Sequence, residues 1–149
     1  MSVIQSLHDN LTKAFGLPSS AVEWLLMIYQ AIQVFDDVAD GDEVTRHELD
    51  KTIWNMLVAM HQNKFWRLNQ DALSPLLATM ILKWQASDIA ERAGKADEKS
   101  FVWRAGYYDL VLASVQICHG PEIAIKMAPY VMALYGEKFE DYMREFKNA

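Results

Sequence analysis

From Ser20 to Asp40 the chain is apolar on every side except one narrow strip, and no other stretch limits the possible folds so strongly. The strip is Glu23, Gln30, Gln33 and Asp37, with Asp36 and Asp40 beside it, positions that share one side of a helix at 3.6 residues per turn. A helix apolar elsewhere around its circumference belongs in the middle of a bundle. Its polar strip must then face an opening to solvent or a polar cavity. Its most apolar part, Trp24 to Phe35, is interrupted by Gln30 and Gln33 and is too short to span a bilayer, so membrane insertion is not expected.

The punctuation supports an all-α chain. Breaks are expected at Gly16-Leu17-Pro18, Gly41, Asn69 to Ser74, Gly94, Gly120-Pro121 and Gly136, with helix-compatible stretches between them and almost nothing that reads as strand. Ser19 or Ser20 can cap the apolar helix and Gly41 can close it. Thr45-Arg46-His47-Glu48 has the pattern of a capping box opening the next helix. Leu49, Ile53, Leu57 and Met60 then repeat at helical spacing. Leu73, Leu77, Met80 and Trp84 mark the inward face of a third helix, Phe101, Tyr108, Leu112 and Val115 that of a fourth, and Phe139, Tyr142, Met143 and Phe146 form a short amphipathic tail. The expectation is one compact helical bundle over residues 1–149.

With 52% hydrophobic residues in 149, the chain can bury roughly two thirds of its unfolded surface without a metal or disulfide. Net charge is −6 and the fourteen Lys and Arg form no run or stripe, which speaks against a nucleic-acid partner. A single cysteine, Cys118, and an amino terminus without a basic start and apolar stretch fit the cytoplasm.

The chemically loaded feature is Asp36-Asp37-Val38-Ala39-Asp40. Asp36 and Asp40 stand one turn apart with Asp37 beside them, so three carboxylates can converge. Acids at a helix C-terminus are disfavoured by about 0.3–1 kcal/mol each, a penalty that a bound Mg²⁺ removes. The competing reading is a solvated turn through Asp40-Gly41-Asp42-Glu43. An EF-hand is excluded, because counting from Asp36 the third position is Val38 and the twelfth is His47. A ferritin-like di-metal site is excluded by the absence of any Glu-x-x-His.

Asp36-Asp37-x-x-Asp40, preceded by an apolar helix and followed by Thr45-Arg46, resembles the first aspartate-rich motif of class I isoprenoid synthases, particularly the polyprenyl diphosphate synthases. The resemblance covers about residues 22 to 50. Arg46 matches the second of the family's paired arginines and Thr45 stands in place of the first. The Trp-Leu-Leu to Asp-Asp stretch is also similar to short proteins of tailed bacteriophages. The resemblance implies a truncated isoprenoid-synthase-like helical fold in which Asp36, Asp37 and Asp40 hold Mg²⁺. Arg46, with Gln33 and Asp109, would meet a diphosphate-bearing small molecule, and Tyr29, Phe35 or Trp54 would stabilise a cation. The family's second acidic motif is missing. Asp109, on a face with Val102, Gly106, Ala113 and Gln116, is the candidate for the opposite wall, and a homodimer is one way to complete the cup. Two functions follow: a small isoprenoid-synthase-like protein that binds Mg²⁺ and a diphosphate ligand, or a non-catalytic helical interaction module that presents an acidic end and an aromatic surface to another protein or its own copy.

Overall fold

The computed structural model describes residues 2–147, and these are helical with no strand among them. They divide into two compact units, Met1–Gln70 and Asp71–Ala149. In the first lie α1 (Val3–Asp9), which continues as a π-helical turn (Asn10–Ala14), α2 (Ser19–Ala39), and α3 (Arg46–Trp54), which continues as a π-helical turn (Asn55–Ala59) into the short α4 (Met60–Gln62). The unit boundary falls inside α5 (Lys64–Arg92), and the second unit continues with α6 (Glu98–Trp103), α7 (Tyr107–His119), α8 (Pro121–Met132) and α9 (Phe139–Lys147). No described helix is long and apolar enough to cross a membrane.

In the first unit α2 contributes more of the core than any other helix: Val22, Trp24, Leu25, Ile28 and Val34 are buried. The indole of Trp24 stacks on Trp66 at 5.6 Å and tilts against Phe65 at 5.9 Å. Neither Ser19 nor Ser20 caps α2. Pro18, extended at φ −65° and ψ 155°, takes the cap position and no side chain bonds the first turn. At the other end Gly41, at φ +76°, closes the helix as expected: its amide donates to Val38 O at 3.2 Å and that of Asp42 to Asp37 O at 2.8 Å. The capping box also forms, with Glu48 N donating to Thr45 Oγ1 and Thr45 N to Glu48 Oε2, both at 3.1 Å.

The helical repeat after the box is present, but its apolar side is not covered, and one expected break fails. Leu49, Ile53 and Leu57 lie on the exposed side of α3 and its π turn, while Thr52 and Met60 are buried. Thr52 tolerates burial because its hydroxyl donates to Glu48 O at 2.8 Å, and the wider π turn changes the register before Met60. The break expected from Asn69 to Ser74 is absent. Asn69 Nδ2 donates to Phe65 O at 2.9 Å inside the continuing helix, and Thr79 Oγ1 donates to Pro75 O at 2.9 Å just beyond the proline. The actual break is Asn63, extended at ψ 128°, whose Oδ1 accepts from Trp66 N at 2.9 Å while Nδ2 donates to Ser20 O at 2.9 Å. One residue thereby starts α5 and ties it to the first turn of α2.

In the second unit Leu73 and Met80 are buried and Leu77 and Trp84 half-buried, the inward face expected of α5. The fourth expected helix is two, α6 and α7, parted at Arg104 to Gly106. A Cβ on Gly106 would come within 3.0 Å of Met80 Cγ, so glycine is what lets the chain turn this close to α5. The buried face of α7 is Tyr107, Leu110, Val111, Ser114 and Val115, with Tyr108 and Leu112 half-buried beside it. The amphipathic tail is α9, and its Tyr142 is fully buried. Tyr142 Oη donates to Glu91 Oε2 at 2.8 Å and lies 2.7 Å from Ser100 Oγ, while Ser87 Oγ donates to Ser100 O at 2.9 Å. Arg104 covers the Tyr142 ring at 5.1 Å and approaches Glu91 at 3.5 Å, so the polar groups at this junction satisfy one another.

Candidate functional site

The polar strip of α2 does face an opening. A cleft of about 410 Å³ lies among α1, α2 and α3 in the first unit. Val3, Ile4 and Val34 supply apolar walls, Tyr29, Gln30, Gln33 and Asp37 come from α2, and His47, Glu48, Lys51, Thr52 and Asn55 line it from α3 and its π turn. The α3 residues 47/48, 51/52 and 55 share one side of that helix by their spacing, but spacing does not say that this side turns toward α2. Burial raises the Tyr29 phenol above its usual value, so the hydroxyl stays a neutral hydrogen-bonding group at ordinary pH.

Of the expected ligand residues, the cleft brings Gln33 and Asp37 together. Asp36 is half-buried, Asp40 is exposed, and neither is part of the cleft lining. Among the described residues no three His, Cys, Asp or Glu side chains are grouped to hold a metal ion. Arg46 is exposed and pairs with Asp50 at 3.0 Å along its own helix. Asp109 belongs to the second unit, where it pairs with Lys83 at 3.0 Å and edges a shallow groove between α7 and α8 with Ala113, Gln116, Pro121 and Ala124. Of the three aromatics considered for a cation, Tyr29 lines the cleft while Phe35 and Trp54 are exposed.

The second feature of this unit is an apolar stripe facing solvent. Leu49, Ile53, Trp54 and Leu57 project from α3 and its π turn, with Trp54 61% and Leu57 71% exposed. Phe35 and Val38 near the end of α2 are exposed as well. Soluble chains scatter single apolar residues over their surfaces, but four along two turns of one helix make a patch. A π turn beneath such a patch often marks a functional surface. Charge on α3 itself is balanced, Arg46 and Lys51 against Glu48 and Asp50, whereas the stretch before it carries Asp36, Asp37, Asp40, Asp42 and Glu43 with no Lys or Arg between Ala14 and Thr45; the unit as a whole holds nine Asp and Glu against five Lys and Arg.

Comparison with known proteins finds no family model, no curated protein and no solved structure that matches this chain.

Proposed function

We propose that the first unit is a non-catalytic interaction module, acting in the cytoplasm, whose α3 stripe docks an apolar helix flanked by Lys and Arg on another protein. The single observation that carries this reading is Trp54, a large aromatic held mostly in solvent beside Ile53 and Leu57. Tryptophan is the residue type most enriched at energetic centres of interfaces. The five acids from Asp36 to Glu43 that lead into α3 favour a basic-flanked partner over a second copy of the same unit, where like charges would oppose. A photo-crosslinking residue at position 54 tests it, with the same residue at the exposed Ile125 as control. The expected result is one discrete adduct from position 54, formed at a Lys- or Arg-rich helix and lost when Leu57→Glu is added. Adducts that are absent, or the same from both positions, overturn the reading.

A second reading is favoured by the cleft, whose Gln33, Asp37 and Tyr29 offer donors and acceptors above an apolar floor in a volume suited to a small molecule. In this reading the first unit is isoprenoid-synthase-like and binds a diphosphate-bearing ligand with Mg²⁺ at Asp36, Asp37 and Asp40, with Gln33 and Arg46 as ligand contacts. The carboxylates would have to be drawn together by the ion. Thermal unfolding with Mg²⁺ and an allylic diphosphate tests it, because a ligand at a hundred times its Kd stabilises by about 2.7 kcal/mol. The expected rise disappears in Asp37→Asn; no rise in the natural protein removes this reading and leaves the first intact.

A further inference from the structure

Within the second unit α5 carries another unpartnered face, opposite the one that buries Leu73, Met80 and Ser87. Ala72, Pro75, Thr79, Leu82, Ala86 and Ile89 follow one another at alternating steps of three and four, and all are exposed, Leu82 at 65% and Ile89 at 59%. This is the heptad seam of a coiled coil, with one core position always small (Ala72, Thr79, Ala86) and the other always bulkier (Pro75, Leu82, Ile89).

We infer that this seam pairs antiparallel with the same seam of a second copy of the chain. Packing and charge select that partner and that direction. In an antiparallel pair each layer joins one position of the first helix to the other position of the second. Leu82 then meets Thr79, Pro75 meets Ala86 and Ile89 meets Ala72, a bulky group against a small one throughout. Small residues at every layer let the helices approach closely. A parallel pair would stack Ala on Ala and Leu on Leu, leaving alternate gaps and bulges. The residues flanking the small positions are Asp71, Ala78, Gln85 and Arg92, all exposed. The same antiparallel register brings Asp71 of each copy beside Arg92 of the other, two opposite-charge pairs across one dyad. Arg92 now pairs with Asp88 at 2.9 Å along its own helix and can be shared between the two acids. The seam belongs to a different helix from the α3 stripe and rests on different residues.

Sedimentation velocity on the whole chain over a concentration series gives the first test. The expected result is a concentration-dependent dimer that Leu82→Glu, or Ala86→Glu as a second variant, converts to monomer while far-ultraviolet helicity, and thermal unfolding at concentrations where the natural protein is monomeric, stay unchanged. Direction is read from disulfide trapping in a Cys118→Ser background. Ala72→Cys and Ile89→Cys lie seventeen residues apart, about 25 Å along a helix, so antiparallel pairing links the two when mixed and neither by itself. A natural protein that stays monomeric up to about 1 mM overturns the inference. So does a dimer that survives both glutamate variants, or trapping of each cysteine variant with itself.

Discussion

Leu49-Ile53-Leu57 on α3 and Leu73-Leu77-Met80-Trp84 on α5 carry the same helical period, yet the first faces solvent and the second is covered. Period locates the apolar side of a helix; what covers that side is decided by other elements. On α3 the polar side is the one turned inward, toward a cleft, with Thr52 accepted into the interior by bonding its own helix. The polar groups of the two units differ in the same sense. Those at the α5, α6 and α9 junction close on one another, whereas those of the α2 strip remain open to the cleft.

The sharpest break in this comparison comes from a matched pair of substitutions. Leu73→Ala removes a fully buried side chain and is expected to cost about 2–5 kcal/mol in chemical denaturation, against less than about 0.5 kcal/mol for Leu57→Ala. Next is Glu91→Ala, which strips the acceptor from Tyr142 and Ser87 and the carboxylate from Arg104. Its expected cost of about 2–4 kcal/mol lowers Tm by about 4–16 °C, and the variant should lose near-ultraviolet signal from Tyr142 at the same time. Asn63→Ala removes both the cap on Trp66 and the tie to Ser20, an expected loss of about 1–2 kcal/mol by urea titration.

The smallest effect is on the alkaline side. Burial, reinforced by Glu137, raises Tyr135 far above the ordinary tyrosine value of 10, and burial raises Tyr142 as well. A folded-state value above the unfolded one means the native protein holds its phenolic protons longer. Stability is therefore full below pH 10 and declines as pH rises beyond it. Tyr135→Phe should flatten that decline in a pH series of thermal melts, at the cost of the bonds to Phe101 O and Glu137.

The all-helical class, the glycine stops at Gly41, Gly94 and Gly120, and the Thr45 capping box were legible because each rests on local backbone chemistry. The run from Asn69 to Ser74 breaks the pattern for the same reason: its turn-forming residues act locally, while buried Leu73 and half-buried Leu77 hold the helix continuous. Asn63 escaped notice because its partners are split between Trp66, three residues on, and Ser20, forty-three residues back. At the site, Gln33 and Asp37 were legible from the polar strip. The contribution of His47, Lys51 and Asn55 was not, since it depends on which side of α3 turns toward α2.

The central claim is that the α3 stripe is a surface for a partner and not part of the fold's own core. Thermal unfolding of Trp54→Ser/Leu57→Ser measures it most directly. The account predicts a Tm within about 2 °C of the natural protein, the scale of substitutions that lose no packing. A fall of about 10 °C or more would mean that the stripe is packed and would contradict the assignment.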